Sequence, residues 1–95
     1  MAVSSMQENV RLPLRLCLYE TSYCHLCEEA QQHLAPYVEQ GVCEIELIDI
    51  AVEDGLLERY GQRIPVLRDA VAGTELDWPF TPEKLDAWLR YQAGV

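Results

Sequence analysis

The sequence predicts an α/β domain: a mixed four-stranded sheet flanked by three helices, in the order β-α-β-α-β-β-α. Three observations carry that expectation. Apolar residues alternate with a period of two over residues 12–19 and again over 43–48, the pattern of strands. A helix-period stretch lies between them, and a strand–helix–strand unit of this kind closes as a right-handed crossover between parallel strands. Residues 65–68 and 74–78 are joined by a short turn at Gly73, which makes the last pair of strands antiparallel. Ninety-five residues hold one such domain and its modest core.

Residues 1–11 are expected to form a flexible terminus, the domain to occupy 12–91, and 92–95 to be a C-terminal tail. In the first strand Leu12, Leu14, Leu16 and Leu18 share a face, with Cys17 and Tyr19 on the other. Both faces are apolar toward its end, which suits a central strand. Pro13 belongs at its start, because proline cannot donate to a ladder. In the first helix Leu26, Ala30, His33, Leu34 and Tyr37 recur at helical spacing and mark its expected buried face. Pro36 should kink or end this helix, and Gly41 is a natural stop.

The second strand, Cys43 to Ile48, ends at Asp49-Ile50, and a short helix is expected over Glu53 to Tyr60, closed by Gly61. The last helix opens on Thr81-Pro82-Glu83: a capping hydroxyl, a proline suited to the first helical position, and an acid that complements the dipole. Leu85, Trp88 and Leu89 form its buried face.

Charge excludes some partners. Sixteen acidic residues against seven basic give a net charge of −9. Nucleic-acid affinity comes largely from lysine and arginine on phosphates, and the seven basic residues here are scattered. Neither nucleic acid nor an anionic membrane is expected as a partner. No apolar run approaches the roughly 18–20 residues needed to span a bilayer. The first residues lack a basic segment followed by an apolar block, so a cytoplasmic location is expected. In that setting cysteines serve metal binding or redox chemistry more often than structural bridging.

Cys24-His25-Leu26-Cys27 falls where the first strand gives way to the first helix. At a helix N-terminus the unpaired N–H groups and the dipole stabilise a thiolate. One turn separates the two cysteines, so a disulfide between them can form and break in place. Lowering a thiol pKa from about 8.5 to about 7 raises its thiolate fraction at neutral pH roughly fifteenfold, and weaker intrinsic nucleophilicity returns roughly fivefold of that. The larger benefit is a better leaving group when the mixed disulfide is resolved. Glu20, Glu28 and Glu29 oppose this ionisation and a protonated His25 favours it, so a moderate depression is expected at Cys24.

A strand, then Cys-x-x-Cys opening a helix, then β-α-β-β-α with a proline starting the third strand resembles the glutaredoxin-like branch of the thioredoxin-like superfamily. The resemblance rests on Leu16-Cys17-Leu18-Tyr19, Tyr23-Cys24-His25-Leu26-Cys27 and Arg63-Ile64-Pro65-Val66-Leu67, and spans residues 12–91. It implies a dithiol thiol–disulfide oxidoreductase with Cys24 as nucleophile and Cys27 as resolving thiol. It further implies a cis proline at Pro65, and a substrate groove formed by Tyr23, Arg63, Ile64 and Pro65, with the Ile64 backbone pairing to substrate. Substrates would be disulfide-containing proteins or low-molecular-weight thiols. No resident cofactor is required, glutathione is admitted as reductant, no metal is expected, and the expected state is a monomer.

The chain also departs from that family. His25-Leu26 replaces Pro-Tyr, Glu20-Thr21-Ser22 stands where a lysine usually precedes the first cysteine, and Arg63-Ile64 replaces Thr-Val before the proline. Arg63 is then the one cation placed for a glutathione carboxylate. Two other classes fit the same residues: a non-catalytic interaction module, and a dimer bridged through Cys-x-x-Cys by zinc or an iron–sulfur cluster. Zinc would need ligands from a second chain, since one such pair supplies two of four. Cys17 and Cys43 read as buried small hydrophobes, His33 as packing, and Trp78, Phe80 and Trp88 as core or cover.

Overall fold

The computed structural model describes residues 10–94. Four strands, β1 (Leu14–Glu20), β2 (Cys43–Asp49), β3 (Val66–Asp69) and β4 (Glu75–Asp77), form one sheet in the order β2-β1-β3-β4. Helices α1 (His25–Glu39), α2 (Leu56–Tyr60) and α3 (Pro82–Ala93) complete the expected β-α-β-α-β-β-α sequence. β1 runs parallel to β2 and antiparallel to β3, and β4 returns antiparallel on β3.

The period-two pattern of β1 distributes its side chains between two layers. Leu14, Leu16 and Leu18 pack with Ala30 and Leu34 of α1 and Leu85, Leu89 and Ala93 of α3, the larger core. On the other face Tyr19 and Val66 pack with Ile50 and with Tyr60 of α2. Each fully buried leucine contributes roughly 1.5–3 kcal/mol of transfer free energy.

Several element boundaries differ from expectation. The buried residues of α1 are Cys27, Ala30 and Leu34, while Leu26 and His33 face outward. The stripe is turned by one residue because Cys27, rather than Leu26, points into the protein. His33 still packs at the surface, with its ring 5.9 Å from that of Trp78. Pro36 does not end α1, which continues to Glu39. Pro36 and Gln32 both lie on the exposed side, where solvent reaches the Gln32 carbonyl that proline leaves without a donor. α2 is shorter than expected, starting at Leu56 after Gly55, which has φ of 89°. β1 begins at Leu14, and Leu12 is exposed ahead of it. The Leu12-Pro13, Ile64-Pro65 and Trp78-Pro79 peptide bonds are all cis.

α3 starts as expected, with Thr81 Oγ1 accepting from the Lys84 N–H at 3.2 Å. It extends through Gln92 and Ala93, both buried, into the stretch expected to be a tail. Residues 1–9, most of the expected flexible terminus, lie outside the described residues. At Arg11 the chain is held: its N–H donates to the Ala93 carbonyl at 2.8 Å. Its guanidinium bonds both Asp69 oxygens, at 3.0 and 3.2 Å. Asp69, wholly buried at the end of β3, also accepts from the N–H groups of Val71 and Ala72. It thereby shapes the β3–β4 turn, where Gly73 takes a φ of 82° that other residues rarely adopt.

Candidate active site

The site forms at one end of the sheet, where β1 ends, β3 begins and α1 starts. Cys24 is the N-cap of α1, with φ −95° and ψ 105°, so its side chain faces the first free N–H groups of the helix. Its Sγ accepts from the Cys27 N–H at 3.1 Å. Cys24 and Cys27 are joined as a disulfide, with their Cα atoms 5.2 Å apart. The two sulfurs differ in access: Cys24 is half-buried, and Cys27 is only 1% exposed behind it.

Tyr23 precedes Cys24 in the left-handed region, φ 62°, and is fully exposed. A bulky residue in that conformation is uncommon and costs about 1–3 kcal/mol. It presents the ring at the lip of the disulfide. His25 is also exposed, with Nδ1 3.7 Å from Glu28 and Nε2 3.9 Å from Glu29. Its nearest charges are therefore these two carboxylates of the first turns. Glu20 accepts from Gln31 Nε2 at 3.4 Å across the start of α1.

The strand register brings the third segment in. Tyr19 is opposite Val66, so Pro65 falls beside Glu20 at the entrance to the Cys24 loop. Ile64 is half-buried against the Tyr60 cluster, and its N–H donates to the Tyr60 carbonyl at 3.1 Å. Arg63 is engaged: its Nη2 bonds Glu75 Oε1 at 2.8 Å and Asp77 Oδ1 at 2.7 Å. Hydrogen bonds to Asp77 and Glu75 raise its already high pKa.

Those bonds belong to a network that the sequence reading did not identify. Tyr60 stacks on Tyr19 with centroids 4.2 Å apart, and its hydroxyl donates to Glu75 Oε2 at 2.6 Å. Arg68 Nη1 reaches the same oxygen at 3.2 Å. Burial and the bond to Glu75 push Tyr60 up to about 12. Burial works against ionised Glu75, yet its bonds from Tyr60, Arg63 and Arg68 hold it below the usual carboxylate range. A signal was available: Glu75 and Asp77, two apart in a strand, share a face of β4 beside two arginines of the neighbouring segment.

Cys17 and Cys43 stand apart from this site and from each other. Cys43 packs in the larger core, and Cys17 packs on the opposite face of the sheet. Burial pushes the Cys43 thiol up to about 11, and burial followed by Glu46 raises Cys17. Both are poor nucleophiles at neutral pH. Among the described residues of the single chain, no three His, Cys, Asp or Glu side chains cluster as a metal site, and no helix is long and apolar enough to cross a membrane. A groove of about 390 Å³ between α1 and β2 and another of about 370 Å³ beside Cys17 flank the sheet, and neither is lined by Cys24 or Cys27.

A mixed four-stranded sheet carrying a disulfide at the N-terminus of its first helix defines a thioredoxin-like protein. More narrowly, the chain belongs to the Glutaredoxin-like domain (DUF836) family, whose model matches residues 15–90. It is similar to the crystal structure of Northeast Structural Genomics target protein XcR50 from X. campestris, at 42% identity over 80% of this chain and 96% of that one, with a TM-score of 0.69. The solution structure of XcR50 gives 42% identity over 80% of this chain and 92% of that one, at a TM-score of 0.67. The solution structure of protein Ne2328 from Nitrosomonas europaea is 30% identical over 80% of this chain and 91% of that one, also at 0.69. No curated protein matches the chain.

Proposed function

We propose that this protein is a dithiol thiol–disulfide oxidoreductase in which Cys24 attacks and Cys27 resolves. The observation that supports this most directly is the asymmetry of the pair. Cys24 Sγ is the accessible sulfur and receives an N–H bond at the helix start, while Cys27 is buried one turn behind it. In the reduced protein the Cys24 thiolate keeps that N–H bond and the favourable end of the helix dipole. It attacks one sulfur of a substrate disulfide, releasing the first thiolate and forming a mixed disulfide. Cys27 gives up its proton, attacks Cys24 Sγ, and releases the second thiolate. Two electrons leave the dithiol, and two protons convert the released thiolates to thiols.

The remaining assignments extend this proposal. Tyr23 and Pro65 bound the groove, the Ile64 carbonyl pairs with an extended substrate, and His25 tunes Cys24 through its charge. Substrates are disulfide-containing proteins or small thiols, and a thiol reductant, glutathione among the chemical candidates, restores the dithiol without a resident cofactor. The protein works as a monomer in the cytoplasm. The test is reduction of a small disulfide by the wild type, Cys24→Ser and Cys27→Ser. The wild type should turn over, Cys24→Ser should be inert, and Cys27→Ser should accumulate a mixed disulfide visible by mass. Turnover by Cys24→Ser equal to wild type would overturn the proposal.

A further inference from the structure

Arg63 is the cation that the chain carries toward the groove beside Pro65, and its charge is already taken by Glu75 and Asp77. The rest of this end of the sheet is acidic. Glu20 pairs with Asp49 where β1 and β2 end, and Asp77 closes β4 opposite Val66. Glu28 and Glu29 stand on the first turns of α1. Arg68 is bound to Glu75 at 3.2 Å, and His25, which carries charge only when protonated, lies within 4 Å of Glu28 and Glu29. Arg59, on α2, sits over the Tyr60 ring at 5.3 Å. The disulfide therefore opens onto a surface whose groove arginine, Arg63, is held by two carboxylates and whose other charges are mostly negative.

We infer that this site selects cationic disulfide partners, polypeptide segments with lysine or arginine beside their cystine, and disfavours glutathione. The inference rests on the dithiol reading above and deepens it. Glutathione carries two carboxylates against one ammonium, so it approaches with net negative charge and meets no free cation at Arg63. Opening the Arg63 clamp costs two short charge-assisted bonds before a carboxylate can replace them. A lysine-bearing segment gains attraction from Glu20, Glu28 and Glu29 without breaking the Arg63 clamp. Asp77 and Glu75 act here as specificity-determining residues, through Arg63, and take no part in the sulfur chemistry. The exchange itself is unchanged: the dithiol is oxidised to the Cys24–Cys27 disulfide and the partner disulfide is reduced to two thiols.

The experiment uses the full reduced chain and two small disulfides of opposite charge, cystamine and oxidised glutathione. Rate constants are divided by those of dithiothreitol with the same disulfides, which removes their intrinsic reactivity. At 10 mM salt the normalised ratio should favour cystamine by about tenfold, and it should fall toward parity at 1 M salt, where the Debye length is about 3 Å. Asp77→Asn, which loosens the clamp, should lower the ratio severalfold, and so should the exposed pair Glu28→Gln/Glu29→Gln. Arg63→Gln should not lower it. A ratio near one at 10 mM, or one unmoved by both acid-removing variants, would overturn the selectivity while leaving the redox reading intact. Failure to reduce either disulfide above the Cys24→Ser background would overturn the redox reading and the selectivity with it.

Discussion

Replacing Asp69 by alanine should destabilise the protein by about 3 kcal/mol, a sum of separate losses. Asp69 is wholly buried, and its Oδ1 accepts from Val71 N–H at 2.9 Å and Ala72 N–H at 3.0 Å. Losing an acceptor costs about 1–3 kcal/mol per buried donor, and the lower end applies here because Val71 and Ala72 sit in an exposed turn. The Arg11 side chain is 38% exposed and can turn to water, so that pair is discounted to about 1 kcal/mol. Asp69→Asn keeps one oxygen for the turn and should cost about 1–2 kcal/mol. Urea unfolding followed by the fluorescence of Trp78 and Trp88 measures both variants. The alanine variant should also melt roughly 12–24 °C lower, scaling from about 4–8 °C per kcal/mol. Burial works against ionised Asp69, but Arg11 and the two N–H groups outweigh it and hold the carboxyl below its usual value. Its stabilisation is therefore fully present above the unfolded carboxylate pKa of about 3.9, and is lost as pH falls through the folded value. The gap between wild type and Asp69→Asn should accordingly narrow below about pH 4. A cost under about 0.5 kcal/mol for the alanine variant at pH 7 would refute the account of this carboxylate as the anchor of β3.

Other predictions follow from the site. In the reduced protein, iodoacetamide should label Cys24 and leave Cys27, which is 1% exposed, unmodified until the chain unfolds; equal labelling would contradict the assigned roles. Absorbance titration of the tyrosines should show one ionising only near pH 12, from Tyr60. Because the unfolded chain gives up that proton near pH 10, stability should decline between about pH 10 and 12. Tyr23→Gly should leave stability unchanged or raise it by up to about 1 kcal/mol, since the left-handed φ is relieved and no buried surface is lost; a loss above 1 kcal/mol would show that the strain is absent. The same substitution should slow reduction of a protein disulfide if the Tyr23 ring meets substrate.

Much of the site was legible because its informative features are local. The alternation of Leu14, Leu16 and Leu18, the capping start at Thr81-Pro82 and the placement of Cys24 between a strand and a helix each depend on residues within one or two turns. The amphipathic phase of α1 was less legible. Leu26 is more apolar than its neighbours, but its direction depends on how α1 is rotated against the sheet, and that rotation sends Cys27 inward instead. Pro36 misled because it falls on the exposed side of α1 with Gln32, whose carbonyl loses its donor there, and the local pattern does not show which side faces solvent.

Local pattern alone carries the order of elements, the mixed four-stranded sheet and the identity of the cysteine pair, since periodicity, capping and spacing act along the chain. Tertiary structure decided which sulfur faces solvent, where Arg63 spends its charge and what ties down Arg11. Those outcomes depend on partners distant along the chain, such as the Gln92 carbonyl, 81 residues from the Arg11 guanidinium that bonds it. Pairing at such separation is set by how sheet and helices close on one another, and no local pattern encodes it.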